Sequence, residues 1–338
     1  MRRYWRLGVG VLVSLFFLLW AARLAGSFRG MVAALGEANY WFLLPALIAY
    51  FAGVWLRAMR WHVLLRPVRA VPPRRLFPVV VIGYMANDVL PARLGELVRA
   101  YILGDQEGVA KTTTLGTIVI ERLFDGLALL VFAGGVGLSV PLDPQVAGVV
   151  RLAAAVFLAA LAAAVALGAV RTRAARAVEL AERWLPPSVR GRLSALTIRF
   201  LEGLGCLQSG RLIIAVAALS LGAWLCEAAM YWILSLGFGL GLGFPSYLLT
   251  TAIANLGAMV PAAPGYIGTF DLGALASLRL FGADPARAAG FVVVLHLALL
   301  LPVSVLGFYY LWRFQLSLRM LGQRMSAARA DDLSVPTS

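Results

Sequence analysis

Charged residues interrupt three apolar stretches of this sequence, and the first of these groups has the composition of a phosphate site. Within residues 87–99, Arg93, Glu96 and Arg99 follow one another at intervals of three, so neighbours share a helix face. A guanidinium group matches the geometry of phosphate oxygens, which makes the two arginines candidates to bind a phosphate group. The alternative is that Glu96 only neutralises them.

The second group lies at the start of an apolar run and combines two acids with a base, as Glu121, Arg122 and Asp125. Glu121 and Asp125 are four residues apart and share a helix face. We expect both, with Asp88 and Glu96, to form a charge network with the arginines of the first group. Arg122 is a further candidate for phosphate binding. A purely structural set of ion pairs is the alternative.

The third group, residues 261–271, is rich in proline and small residues. A helix that begins near Gly268 would direct its free N–H groups and the positive end of its dipole at the protein centre. Gly268 and Thr269 are therefore candidate anion ligands. The alternative is that Thr269 and Asp271 only cap this helix.

Two further acids, Asp271 and Glu227, have no arginine close by in sequence. A carboxylate that is shielded from water can take up and release a proton near neutral pH, so both are candidates for coupling to a proton gradient. The dipole of the helix beside Asp271 would partly oppose this. His296, in another apolar stretch, is interpreted as a hydrogen-bonded structural residue.

The composition indicates that these groups lie in a membrane. Of the 338 residues, 61% are hydrophobic and only 14% are charged, about half of the usual fraction for a soluble domain. One soluble core cannot bury that much apolar surface, so the bilayer must be the solvent for most of the chain. The net charge is +14, and the basic residues lie mostly between the apolar stretches, as in cytoplasmic loops beside anionic lipid rather than in nucleic-acid-binding proteins.

Cofactor and metal chemistry find little support in the sequence. Cys206 and Cys226 form no paired motif and are interpreted as small apolar residues. The two histidines are too few for a histidine-based metal site, and the glycines of 237–243 lack the spacing of a nucleotide-binding loop. We expect no cofactor, no metal, no nucleic-acid partner and, because no catalytic motif is present, no enzymatic activity.

Six apolar runs are long enough to cross a bilayer of about 30 Å as helices. They are residues 7–25, 41–65, 116–138, 147–170, 211–236 and 287–312. The first follows a basic N-terminus and could be a signal peptide, but we interpret it as an uncleaved helix because it leads into further membrane segments.

Two other apolar regions, 76–104 and 246–282, are broken by Pro91 and by Pro264-Gly265. Basic residues place the N-terminus, the region from Arg57 to Arg75, the segment 171–211 and the C-terminal tail in the cytoplasm. The links 139–146 and 237–245 have no basic residue and are therefore placed outside. Each broken region must then start and end on one side. We therefore predict two re-entrant helical hairpins with tips at the breaks, surrounded by protein or a water-filled cavity.

The order of elements predicts an inverted repeat. Residues 1–138 read helix, helix, hairpin, helix, and residues 139–325 read the same from the opposite side, with an amphipathic cytoplasmic segment at 171–210. The remaining residues, 326–338, are polar and predicted to be disordered. The fold class predicted is an all-α polytopic membrane protein, and the alternative is eight to ten ordinary spanning helices without symmetry.

The three groups resemble the transmembrane domain family of lysylphosphatidylglycerol synthases. The motifs that carry the resemblance are Asn-x-x-x-Pro-x-Arg-x-Gly-Glu-x-x-Arg at 87–99, Glu-Arg-x-x-Asp at 121–125 and Pro-Gly-x-x-Gly-Thr at 264–269. The resemblance covers nearly the whole chain. It implies a flippase-like domain, which in the bifunctional synthases moves aminoacylated phosphatidylglycerol between leaflets. No aminoacyltransferase domain follows in this sequence, so we expect a stand-alone member.

The sequence as a whole predicts a translocator, either a flippase or a scramblase, for a membrane phospholipid or another anionic lipid. The expected location is the bacterial inner membrane, with both termini in the cytoplasm. A membrane-embedded glycosyl- or lipid-group transferase is the alternative, because some relatives in the family are described as glycosyltransferases. A non-transporting scaffold would leave the intramembrane charges unexplained.

Overall fold

The protein is all helical wherever its structure is described. The structure is a computed structural model that describes residues 28–90, 94–139, 144–169, 178, 180, 182, 192–258 and 264–315. Its α-helices are α1 (Phe28–Glu37), α2 (Leu43–Leu65), α3 (Pro73–Val89), α4 (Gly95–Glu107), α5 (Lys111–Gly137), α6 (Pro144–Ala169), α7 (Arg192–Gly203), α8 (Gly210–Gly237), α9 (Phe244–Ala258), α10 (Thr269–Leu280) and α11 (Pro285–Arg313). Short 3₁₀ turns cover Tyr40–Phe42, Gly205–Gln208 and Pro264–Tyr266.

Four helices within the described ranges are long and apolar enough to cross a membrane. They are Tyr40–Leu65, Val150–Gly168, Gly210–Leu236 and Pro285–Arg313. These coincide with four of the six predicted runs. The run 7–25 lies outside the described residues. The run 116–138 lies in α5, whose 27 residues extend about 40 Å, but its Glu121, Arg122 and Asp125 keep it outside that set.

Helices α3 and α4 form the first helical hairpin, and glycines allow its arms to touch. A Cβ on Gly95 would lie 2.0 Å from the carbonyl oxygen of Gly83 and 2.6 Å from Oδ1 of Asn87. That Oδ1 accepts a hydrogen bond of 2.9 Å from the backbone N–H of Gly95 and so fixes the start of α4. Pro91 and Arg93, at the predicted tip, lie outside the described residues.

Helices α9 and α10 form the second helical hairpin, and small residues again lie at the crossing. A Cβ on Gly273 would lie 2.9 Å from Cα of Ala254, and one on Gly257 would lie 3.1 Å from the carbonyl oxygen of Thr269. Small residues let membrane helices approach closely enough for backbone packing. The bend has positive φ angles at Gly265, Tyr266 and Gly268.

The basic segment that was predicted to be cytoplasmic contains α7, and α7 packs on the first turns of α5. Gly203 and Gly116 face each other, because a Cβ on Gly203 would lie 2.3 Å from the carbonyl oxygen of Thr113 and one on Gly116 would lie 2.5 Å from that of Phe200. Leu196 and Ile198 are exposed. A helix with exposed apolar and basic residues is typical of a membrane surface.

The helices group into two compact units. Unit 1 consists of Met1–Gly53, Ala128–Ala153 and Leu221–Pro302, and it includes the second helical hairpin. Unit 2 consists of Val54–Leu127, Ala154–Ser220 and Val303–Ser338, and it includes the first. Each unit takes segments from both predicted repeat halves. Compactness and internal symmetry are different properties, so the division at 138 stays a prediction, and the predicted tail lies outside the described residues.

Candidate functional site

An arginine on α2 is the centre of the polar interior of unit 2. Arg60 is completely buried, and its Nη1 lies 2.5 Å from Oδ1 of Asp125 and 2.9 Å from Oγ of Ser220. Its Nη2 lies 3.1 Å from Oε1 of Glu121. Arg57 and Arg60 were predicted to belong to a basic loop, but the structure has both as buried side chains of helix α2. Burial of Arg60 is possible because the acids of α5 compensate its charge. Their predicted placement on the cytoplasmic side stays a prediction.

The first helical hairpin adds a second buried arginine. Arg99 donates from Nη2 to Oε2 of Glu121 at 2.7 Å, and its guanidinium carbon lies 4.1 Å from the ring centre of Trp61. Gly83 makes room for this side chain, since a Cβ there would lie 2.5 Å from Cγ and Cδ of Arg99. Trp61 is fixed in turn by a hydrogen bond of 3.1 Å from its Nε1 to Oγ1 of Thr117. Glu121 therefore bridges two arginines.

The third arginine is held more loosely than the other two. Arg122 Nε lies 3.6 Å from Oε1 of Glu96, and its Nη2 lies 3.6 Å from Oδ2 of Asp125. Both distances exceed that of a hydrogen bond, and Nε has no hydrogen-bond partner. The side chains of Arg122 and Glu96 are 34% and 29% exposed, whereas Glu121 is buried. We call Arg60, Arg99 and Arg122 with Glu96, Glu121 and Asp125 the arginine cluster.

Two further residues were predicted to belong to this network, Asp88 and Arg93. Asp88 accepts a hydrogen bond of 3.0 Å from Oγ of Ser304 on α11. Arg93 precedes the first residue of α4 and lies outside the described residues, so its predicted role in phosphate binding stays a prediction. Arg99 is placed against Glu121 and Trp61, so Arg122 is, among the three arginines of the arginine cluster, the one whose side chain is partly exposed.

The second helical hairpin, in unit 1, carries one acid, Asp271, in the first turn of α10. Asp271 accepts a hydrogen bond of 2.9 Å from the backbone N–H of Gly268 through Oδ2, which caps α10. Its Oδ1 lies 2.7 Å from Nδ1 of His296. The carboxylate of Asp271 thus occupies the helix start at which Gly268 and Thr269 were predicted to bind an anion, as the capping alternative requires.

Glu227, the other candidate proton site, belongs to a second buried polar group of unit 1. Its Oε1 accepts hydrogen bonds from the hydroxyl of Tyr231 at 3.2 Å and from Nδ2 of Asn255 at 3.1 Å. Asn255 also donates to the carbonyl oxygen of Thr251 at 3.0 Å.

We examined the described residues for a group of side chains that could bind a metal ion. Over the described ranges, no three His, Cys, Asp or Glu side chains lie together as they would around a metal ion. Cys206 is buried within the 3₁₀ turn that follows α7, and burial raises the pKa of its thiol to about 11.

A comparison of the sequence with protein families identifies the domain to which these motifs belong. The sequence profile of the lysylphosphatidylglycerol synthase transmembrane region matches residues 7–307. The chain belongs to this family. This match confirms the resemblance that the three motifs indicated. The chain is a multi-pass membrane protein.

Two relatives of this family member extend over most of its length. One UPF0104 membrane protein of Methanothermobacter thermautotrophicus is 24% identical over 81% of this chain and 86% of that protein. Another from the same organism is 24% identical over 91% of this chain and 92% of its own length. A shorter similarity, 28% identity over 31% of this chain and 17% of the other, is to glycosyltransferase AglD of Haloferax volcanii. These relatives are archaeal, and the bacterial location remains a prediction.

Proposed function

We propose that this protein moves a phosphate-bearing lipid between the two leaflets of its membrane and makes or breaks no covalent bond. The observation that carries the proposal is Arg122, whose side chain is partly exposed and whose two acidic neighbours lie 3.6 Å away, beyond hydrogen-bond distance. A phosphate offers several oxygens at the spacing of a guanidinium fork. Membership of a family named for a lipid synthase's transmembrane region supports a lipid as the bearer of that phosphate.

Arg60 and Arg99 support this role by holding the acids in place. Glu121 and Asp125 make their shortest ion pairs with the two buried arginines, Arg99 and Arg60. Neither carboxylate therefore moves close enough to Arg122 to form a hydrogen bond with it. Glu96, on the first turn of α4, is the acid that a headgroup would displace. A fixed scaffold of buried pairs beside one accessible arginine binds phosphate without reorganising the protein interior.

The same proposal includes the finer topology. Six spanning helices and two re-entrant hairpins in an inverted repeat, with both termini in the cytoplasm, would place the hairpin tips at membrane depth. A cysteine at the exposed Ser139 should react with an impermeant maleimide added outside intact cells, and a cysteine at the exposed Arg199 should react only after the cells are opened. Labelling of Arg199→Cys in intact cells would contradict this topology.

Proton coupling through Asp271 or Glu227 remains part of the proposal. Both acids are buried, and the hydrogen bonds described above come from neutral donors or from an imidazole. Exchange of lipid that changes with an imposed pH gradient, and loses that response in Asp271→Asn or Glu227→Gln, would support coupling at that residue.

Reconstitution tests the proposal. Purified protein is placed in liposomes with labelled phosphatidylglycerol, phosphatidylethanolamine or diacylglycerol, and the accessible label is followed with a membrane-impermeant quencher. We expect faster exchange of the two phosphate-bearing lipids than in protein-free liposomes, and no protein-dependent exchange beyond the spontaneous rate for diacylglycerol. Equal acceleration of all three lipids, or of none, would contradict headgroup recognition.

A membrane-embedded glycosyl- or lipid-group transferase is the second candidate, and the similarity to glycosyltransferase AglD favours it. That similarity involves only 17% of AglD, which is why we rank it second. New lipid species formed by the purified protein from membrane lipids and activated sugars, detected by mass spectrometry, would support a transferase over a translocator.

A further inference from the structure

One imidazole ties both sides of the bend in the second helical hairpin to α11. His296 Nδ1 lies 2.7 Å from Oδ1 of Asp271, and its Nε2 lies 2.7 Å from the carbonyl oxygen of Gly265. Asp271 belongs to the first turn of α10, and Gly265 belongs to the 3₁₀ turn before it. The side chain is buried, and its ring packs edge-on against that of Phe270 at 5.2 Å.

The two contacts fix the number of protons on this pair. A carbonyl oxygen can only accept, so Nε2 of His296 must carry a hydrogen. A second hydrogen must lie between Nδ1 and Oδ1 of Asp271, because two lone pairs 2.7 Å apart would repel. The pair is therefore either an imidazolium with a carboxylate or an imidazole with a carboxylic acid. Both forms carry one exchangeable proton and no net charge.

Losing that proton would leave a buried negative charge. From α8, Glu227 and Tyr231 face this region, and the ring of Tyr231 lies 6.3 Å from that of Phe270. Tyr266 comes from the bend, and Tyr50 of α2 donates to the carbonyl oxygen of Leu299 on α11 at 3.2 Å.

The basic residues of α10 and α11 lie at a distance along their helices. Arg279 stands two turns beyond Asp271, and Arg287 stands nine residues before His296, where it donates to the carbonyl oxygen of Gly239 at 3.3 Å. Neither replaces the lost proton at the position of Nδ1, so the deprotonated pair loses the tie between Asp271 and the imidazole.

The bend also contains a strained backbone conformation, and the hydrogen bonds of His296 prevent it from relaxing. Tyr266 has φ 58°, a left-handed conformation that costs a residue with a side chain free energy and that glycine adopts without penalty. Its neighbours Gly265 and Gly268 have φ 71° and 96°. When the imidazole releases the Gly265 carbonyl or the carboxylate, relaxation of Tyr266 favours movement of the bend.

We propose that His296 and Asp271 form a proton-operated latch on the bend of the second helical hairpin. With its proton, the pair holds Gly265 and the start of α10 against α11, and release of the proton to solvent frees the bend. The latch itself follows from contacts within unit 1. Its use in transport rests on the proposed lipid translocation.

The test uses a nitroxide spin label at Ile267→Cys, two residues beyond Gly265, in the full chain with Cys206→Ala and Cys226→Ala. Spectra are recorded in lipid nanodiscs between about pH 5 and about pH 9, a range that brackets histidine titration. We expect an ordered spectrum at low pH and about a twofold larger mobile fraction at high pH. A label at Ser139→Cys, in a turn after α5, serves as the control and should show no such change.

Two substitutions should move the label in opposite directions. Asp271→Asn mimics the protonated pair, because the amide oxygen can accept from the Gly268 N–H and the amide nitrogen can donate to Nδ1 of a neutral imidazole. Its spectrum should stay ordered at every pH. His296→Phe keeps the ring packing without hydrogen bonds, and its spectrum should be mobile at every pH. A pH-independent parent spectrum, or an Asp271→Asn spectrum as mobile as that of His296→Phe, would overturn the latch.

Lipid exchange in the same preparations separates the latch from the proposed function. Slow exchange in Asp271→Asn, together with an ordered bend, would support a latch that must open during transport. Unchanged exchange in a permanently latched variant would overturn its role in transport. A working latch in a parent protein without any lipid exchange would remove the translocator proposal and leave the latch standing.

Discussion

The two compact units bury their carboxylates beside different kinds of partner. In unit 2, the buried acids Glu121 and Asp125 are compensated by guanidinium groups, which stay charged at every accessible pH. In unit 1, Asp271 and Glu227 are held by an imidazole, a hydroxyl, an amide and a backbone N–H. The guanidinium partners in unit 2 carry a permanent charge, whereas the partners named in unit 1 are neutral donors and one imidazole.

We propose that this difference gives the two units separate roles. The arginine cluster contains three arginines and three acids, and its guanidinium groups do not change charge near neutral pH, so Arg122 is suited to bind an anionic headgroup at constant protonation. A site whose charge changes with one proton is suited to move a structural element, since each protonation state favours different contacts. Matched variants of the two units can test this comparison.

The largest effect is expected from removing the central cation of unit 2. Arg60→Ala leaves Asp125 and Glu121 buried beside too little positive charge, which should lower the free energy of unfolding by about 3–5 kcal/mol. Thermal unfolding in detergent, followed by size-exclusion fluorescence, measures this loss. Arg151→Ala, at an exposed arginine of α6, is the control and should have little effect. Similar losses in both variants would show that the arginine cluster is not a unit of stability.

The next effect compares the packing of the two hairpins. Gly95→Ala places a methyl group 2.0 Å from the Gly83 carbonyl oxygen and should cost about 1–3 kcal/mol, with partial separation of α3 and α4. Gly257→Ala meets the Thr269 carbonyl oxygen at 3.1 Å, and a gain of about 1 kcal/mol in helix propensity offsets that strain.

The same thermal unfolding experiment distinguishes them. A larger loss in Gly257→Ala than in Gly95→Ala would contradict the close contact of the first helical hairpin. That result would also count against the close packing of α3 and α4 by which Gly83 leaves room for Arg99 to reach Glu121.

The smallest effect is expected at Cys206, outside both hairpins. Burial raises the pKa of its thiol to about 11, so the folded protein keeps the thiol protonated while an unfolded chain loses the proton nearer its usual value. Its contribution should therefore be constant below about pH 9, and stability should fall as pH rises from there toward about 11.

Labelling with N-ethylmaleimide at neutral pH checks this prediction. Cys206 in the folded protein should react far more slowly than in protein unfolded by detergent and heat, and Cys206→Ala should leave lipid exchange unchanged. Rapid labelling of the folded protein would show that the thiol is accessible.

Sequence patterns predicted the helices and bends of this protein better than the contacts between residues that are distant in sequence. Pro91 and Pro264-Gly265 mark the two bends because proline and glycine interrupt helices locally, and the structure has paired short helices on either side of each. Hydrophobic run length likewise predicted the four long apolar helices, since it depends only on neighbouring residues.

Contacts between distant residues explain what the sequence did not reveal. Arg60 follows Arg57 and precedes a basic loop, so counting charges along the sequence grouped it with that loop. Its partner Asp125 lies 65 residues away in sequence, and only the packing of α2 against α5 brings the two together. His296 lies 25 residues from Asp271 and was interpreted alone. The spacing of Glu121 and Asp125 indicated one helix face, which was the available signal for a buried cation opposite them.

Lipid exchange in liposomes by Arg122 variants tests the central claim most directly. If the partly exposed guanidinium binds the headgroup phosphate, Arg122→Ala should reduce protein-dependent exchange of phosphatidylglycerol by about 10-fold or more, which corresponds to roughly 1.4 kcal/mol of lost binding. Arg122→Lys should restore part of it, because the charge remains and the fork is lost. Glu96→Gln should keep or increase exchange, and Arg151→Ala should match the parent. Exchange that is unchanged in Arg122→Ala, with the protein folded, would contradict headgroup binding at the arginine cluster.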